Sequence, residues 1–137
     1  RCQLFLLTTR LKLADVDAAW RLADSVAAGA PSYRLNSDML VAAVIARASA
    51  TKPALADRAR RVIKRSEGNA IADPTRDLAL YGAIGYTMLG DKADAIRLLK
   101  TYLAVNPQKI PGFRDDPGWQ YRDLVSDPAY RQLVGAR

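Results

Sequence analysis

The stretch that decides the fold runs from Asp73 to Pro107, DPTRDLALYGAIGYTMLGDKADAIRLLKTYLAVNP. Its apolar residues recur at three- and four-residue intervals, the spacing of one helix face, and no strand-like alternation competes with them. Asp73 is a capping residue by type, and Pro74 falls at a first helical position, where a missing N–H leaves nothing unsatisfied. The helix then carries Leu78, Ala79, Gly82, Ala83 and Tyr86 through to Leu89, and Gly90 supplies the stop. Asp91 restarts a second helix with Ala95, Leu98, Leu99, Tyr102 and Leu103 on one face, and Asn106-Pro107 ends it. The spacing predicts an antiparallel helical hairpin with a tight turn.

That hairpin, about a quarter of the chain, resembles a tetratricopeptide repeat (TPR). With Arg76 as the first repeat position, the family's small or apolar positions fall on Ala79, Gly82, Ala83, Tyr86, Ala95, Leu99 and Tyr102. Its late proline falls on Pro107 and its turn glycine on Gly90. A frame opening at Asn36 gives Met39, Ala42, Ala43, Ala46, Leu55, Ala59 and Val62, with Glu67-Gly68 in place of the proline. The two frames lie 40 residues apart, against a family period of about 34; the turn-like residues 67–72 take up the excess. Farther upstream Ala19, Ala23, Val26 and Pro31 match, whereas Gln3 and Arg10 sit where bulkier apolar residues are usual. The resemblance implies an all-α fold: a right-handed superhelical stack of antiparallel hairpins, a TPR-like α-solenoid, over residues 2–31, 36–67 and 73–107 of a single domain spanning 1–137.

After Pro107 the period stops. Residues 108–137, QKIPGFRDDPGWQYRDLVSDPAYRQLVGAR, hold two short helical pieces that open on Asp116-Pro117 and Asp127-Pro128. Trp119, Tyr121, Leu124, Tyr130, Leu133 and Val134 give them an apolar lining, and the segment reads as a short helical C-terminal cap. It is similar to endings that close TPR arrays on some bacterial signalling proteins, including kinases and membrane-anchored winged-helix regulators. That likeness implies a piece of a larger bacterial signalling or regulatory protein; the opening at Arg1 rather than Met reads as a fragment or a processed product.

Composition agrees with helices packed on helices. Half the 137 residues are hydrophobic, chiefly alanine and leucine, which are readily placed in a helix and let helices approach closely. Lys and Arg number 21 against 14 Asp and Glu, a net charge of +7 that favours acidic partners. The single cysteine, Cys2, excludes an internal disulfide and is read as an inert terminal thiol. The apolar run Met39–Ala46 meets Arg47 well before the ~20 residues a membrane helix needs, so no membrane span is expected.

The chain contains no histidine, which removes the Ser-His and Cys-His arrangements of nucleophilic catalysis. Asp115-Asp116 lacks the spaced oxygen ligands of a calcium loop and reads as a cap for the Trp119 helix. Ser49-Ala50-Thr51-Lys52 matches a Ser-x-x-Lys motif without its partner motifs, and Gly82 and Gly85 follow no strand that would make them a phosphate loop. Trp20 and Trp119, at helical spacing, read as core. Tyr86 and Tyr102 occupy positions that in TPR proteins pack between the two helices. No catalytic residue, metal site or cofactor is expected, and the chain reads as non-enzymatic.

The resemblance implies a concave groove lined by the first helix of each hairpin. Its partner-facing positions fall on Leu40, Val44 and Arg47, then on Asp77, Leu80, Ile84, Thr87 and Met88, with Arg47 and Asp77 as charged anchors. The expected role is a protein–protein interaction or scaffold module for a peptide or partner segment, without the dense basic clamp some TPR domains use for a peptide carboxylate. Lys52, Arg58, Arg61, Lys64 and Arg65 form a basic face opposite Leu55, Ala59, Val62 and Ile63. Weak phosphate or nucleic-acid binding there is one alternative, although no aromatics interleave with the charges as single-strand recognition requires. A structural or sensor segment packed within its parent protein is the other. Compartment and oligomeric state stay open.

Overall fold

The computed structural model describes Ile45 and Ala46, residues 53–67 and residues 73–136, with backbone alone at 65 and 66. The fold is all-α, and there is no strand among the described residues. A 3₁₀ turn, Pro53–Leu55, leads into α1 (Ala56–Ser66). Then come α2 (Asp77–Leu89) and α3 (Lys92–Val105). A 3₁₀ turn at Pro107–Lys109 runs straight into α4 (Ile110–Asp115), followed by a 3₁₀ helix, Trp119–Leu124, and α5 (Pro128–Val134). Ile45 and Ala46 are helical and fully buried. The hairpin read over 2–31, the rest of the Met39 helix, Cys2, Trp20 and the Ser49–Lys52 motif lie outside the described residues.

α2 is apolar on nearly every side, the signature of a helix buried all round. It packs most extensively on α3, and also on α1 and on the Trp119–Leu124 helix. One core joins Val62 and Ile63 of α1, Leu78, Ala79, Ala83 and Tyr86 of α2, and Ala95, Leu98, Leu99, Tyr102 and Leu103 of α3. Tyr121, Leu124, Tyr130 and Val134 extend it into the C-terminal segment. The expected core faces of α1, α2 and α3 are the buried ones.

The ends of the hairpin are set by local chemistry. Gly90 (φ 80°) gives its N–H to Thr87, and the Asp91 N–H reaches the Tyr86 carbonyl at 2.9 Å, closing the last turn of α2. At the far end the Asn106 Nδ2 donates to the carbonyls of Tyr102 (3.0 Å) and Thr75 (2.8 Å), tying the end of α3 to the start of α2. Asp127 caps α5 as expected, its carboxylate accepting from the Ala129 N–H at 2.9 Å with Pro128 in the first turn.

Three expectations need correction. First, α2 begins at Asp77, so Pro74 sits in a turn closed by the Arg76 N–H on the Asp73 carbonyl. The Asp73 carboxylate still caps, accepting from the Leu78 N–H at 2.8 Å, because Arg76 takes a left-handed conformation (φ 59°) that swings the turn back over the helix end. Second, the C-terminal segment holds three helical pieces rather than two. Pro111 lies in the first turn of α4, where proline is tolerated, so Pro111-Gly112 starts a helix instead of breaking one. Asp116 lies past the end of α4, its carboxylate accepting from the Gly118 N–H at 3.4 Å, and does not cap the Trp119 helix. Third, Trp119 is 50% exposed. At three residues per turn, Tyr121 and Leu124 share the buried row, whereas Trp119 and Val125 fall on another.

Gly85 of α2 lies against Ile63 of α1: a Cβ built there would stand 2.7 Å from Cδ1 of the fully buried Ile63. Alanine in a helix interior otherwise gains roughly 0.5–1 kcal/mol over glycine. Gly85→Ala is therefore expected to destabilise the wild type by about 1–2 kcal/mol through overpacking. In an Ile63→Val background, which lacks Cδ1, it should be neutral or stabilising. Denaturant unfolding of the four proteins checks this, and strictly additive effects would refute the contact.

Candidate functional site

α2 places Leu80 and Ile84 one turn apart, both half-buried. Beside them α4 and the Trp119–Leu124 helix form the other wall of an open, mainly apolar pocket of about 280 Å³. The wall is fixed by its aromatic rings. The Tyr121 ring is buried, and its hydroxyl donates to the Leu80 carbonyl at 3.3 Å. Phe113 stands edge-to-face on Tyr121 (centroids 5.3 Å apart) and on Tyr102 (6.3 Å). The Tyr130 hydroxyl donates to the Phe113 carbonyl at 2.8 Å, which anchors α4 onto α5. Lys109, Asp116 and Gln120 bring the polar groups to the pocket.

Of the expected groove residues, Leu80 and Ile84 meet in this pocket. Asp77 is half-buried in the first turn of α2 and accepts from the Thr75 hydroxyl at 3.0 Å. Met88 is half-buried near the helix end. Thr87 is buried, and its hydroxyl donates back to the Ala83 carbonyl at 2.8 Å, so it offers no donor beyond its own helix. Leu40, Val44 and Arg47 lie outside the described residues. Sequence reasoning missed Lys109, Phe113 and Gln120 as pocket residues. The signal that could have found them, a proline at a first-turn position followed by Phe113, was masked by the Pro-Gly pair.

Along α1, Arg61 and Lys64 are exposed and Arg58 is half-buried; Lys52 and the Arg65 side chain lie outside the described residues. Arg60, which the sequence also sets among the basic residues opposite the apolar arc, has a different task. Its Nε donates to one Asp91 oxygen at 2.7 Å and its Nη2 to the other at 3.0 Å, while its Nη1 reaches Asp57 at 3.2 Å. This fork pins α1 to the α2–α3 turn, and the Asp91 carboxylate raises the guanidinium's hold on its proton. Asp91 therefore spends its carboxylate on Arg60 rather than on capping α3. At the end of α1, Glu67 accepts from Arg97 Nη2 (3.1 Å) and from the Tyr86 hydroxyl (2.9 Å).

Burial pushes up the phenol pKa of Tyr86, Tyr102, Tyr121 and Tyr130, with the Tyr86–Glu67 hydrogen bond adding to it; Tyr130 is raised to about 12. A phenol raised in the folded state holds its proton harder than the unfolded chain, where it titrates near ~10. Its stabilising contribution is complete below that unfolded value and is lost as pH climbs through the folded one, between roughly 10 and about 12 for Tyr130. Tyrosinate absorbance is thus expected to rise together with the loss of helical circular dichroism. Tyr130→Phe should flatten the fall in stability across that window. Completion of the absorbance change before any loss of helix would contradict this assignment.

Among the described residues no group of three or more His, Cys, Asp or Glu side chains is placed to hold a metal ion, and no helix is long and apolar enough to cross a membrane. Comparison of the chain with protein-family models, with curated proteins and with solved structures finds no match.

Proposed function

We propose that this chain is a non-catalytic helical-repeat module of the TPR type that holds a segment of a partner protein along α2, as part of a larger signalling or regulatory protein. The observation that carries the reading is the state of Leu80 and Ile84. They lie one turn apart, half-buried at an open apolar pocket, in positions where the family resemblance puts groove contacts. Packing of α1 on α2 and of α2 on α3 supports a stack of hairpins, since each pair buries its apolar flank on a neighbour. The lack of any histidine supports a binding role over acid–base catalysis. A structural segment within a parent protein is the second reading, favoured by Thr87, a groove position that is buried with its hydroxyl satisfied by its own helix.

A photo-reactive residue placed at Met88 on α2 is expected to cross-link a discrete partner, while the same residue at the exposed Lys100 on α3 should not. Equal yields from the two positions, or none from either, would count against partner binding along α2 and favour the structural reading.

A further inference from the structure

Lys109, Gly112, Phe113 and Asp116 line the pocket beside α2, and their spacing is that of one helix face. Lys109 ends the 3₁₀ turn that runs into α4, and Asp116 follows the last residue of that helix. The two charges therefore stand at opposite ends of one stripe, about 10 Å apart along its axis. Both residues are exposed, and neither makes an ion pair among the described residues. Asp116 accepts from the Gly118 N–H alone, at 3.4 Å, and Lys109 has no side-chain partner, whereas Arg60, Arg97 and Arg114 each hold a carboxylate. The midpoint of the stripe falls between Gly112 and Phe113. A Cβ on Gly112 would meet nothing within 4 Å, which leaves space there for a second backbone.

One charge of each sign, equally far from a centre, is a pattern that a two-fold axis satisfies with itself. Across such an axis through residues 112 and 113, two copies of α4 lie antiparallel, and Lys109 of each faces Asp116 of the other. A partner of uniform charge would gain at one end of the stripe and lose at the other. The apolar features fit the same symmetry. The pocket, about 280 Å³ and open on one side, has room for one large apolar side chain against Leu80 and Ile84. Trp119 is 50% exposed, and its chain neighbours Gly118 and Gln120 both line the pocket. The large apolar side chains that stand exposed among the described residues, Val105, Trp119 and Val125, all belong to the stretch that holds α4 and the Trp119–Leu124 helix.

We infer that this face is a two-fold interface between copies of the chain. α4 lies antiparallel on α4, Lys109 pairs with Asp116 in both directions, and the Trp119 ring of each copy enters the pocket of the other. The inference rests on the partner-binding reading of the pocket and names the partner as a second copy. So small a face belongs to the weak class of interfaces, below about 1,200 Å², and dissociation is expected between roughly 10 µM and 1 mM. Repulsion between two chains of net charge +7 opposes association at low ionic strength and is screened at about 0.15 M salt.

The test is sedimentation equilibrium of the full chain from about 5 µM to 1 mM in ~0.15 M salt, with methyl NMR on the same samples. A reversible dimer is expected, and the Leu80 and Ile84 methyl signals should move with concentration. Lys109→Glu and Asp116→Lys each set like charges against one another at both contacts and should weaken dimerisation about tenfold. An equimolar mixture of the two variants should associate at least as well as the wild type, and the double variant should regain the homodimer. Trp119→Ala should weaken it roughly tenfold or more. The inference is overturned by a dimer indifferent to the charge changes, by a double variant no better than either single one, or by concentration-dependent shifts confined to α1 or α3. A chain that stays monomeric throughout also overturns it; if that monomer still cross-links a different protein from Met88, the broader partner-binding reading stands without it.

Discussion

Enclosure of α2 is the constraint on which the rest of the structure depends. This helix carries almost no polar side chain, so it must be covered by α1, α3 and the Trp119–Leu124 helix. Small residues at Ala79, Gly82, Ala83 and Gly85 let the neighbours approach. Glycine inside a helix costs roughly 0.5–1 kcal/mol relative to alanine, a penalty offset where the missing Cβ admits a fully buried side chain such as Ile63.

Polar contacts around that core set register more than they add stability. The Arg60–Asp91 fork, the Glu67–Arg97 pair and the Asn106 amide each join elements about 30 residues apart in sequence. Exposed ion pairs contribute at most about 1 kcal/mol each, far less than the apolar area beneath them. Their geometry nonetheless fixes which turn of α1 faces the α2–α3 loop. Tyr86, Tyr121 and Tyr130 serve both ends: a buried ring contributes area, and a hydroxyl locks onto a carbonyl or a carboxylate.

The pocket follows from how the chain returns after α3. Helix resumes almost at once after Asn106, and α4 therefore ends beside α2 with Phe113 directed between Tyr102 and Tyr121. Gly118 then turns the backbone so that Tyr121 and Leu124 face the core. What stays open is the space that short helices with imposed starts and stops cannot fill, walled by α2 on one side and aromatic rings on the other.

Periodicity alone determined the all-helical class, the α2–α3 hairpin, the Gly90 turn, the Asp127 cap and the buried faces of α1, α2 and α3, because these depend on spacing within a few residues of one another. The resemblance to a tetratricopeptide repeat, not the periodicity, put Leu80 and Ile84 among the expected groove residues. The start of α2 three residues past Pro74, the helix at Ile110, the exposure of Trp119 and the joining of Lys109, Phe113 and Gln120 to Leu80 and Ile84 were decided by tertiary structure. Each depends on a choice between local options that the sequence leaves nearly equal: cap or turn, break or helix start, α or 3₁₀ row. Contacts with residues distant in the chain supply the energy that settles such choices.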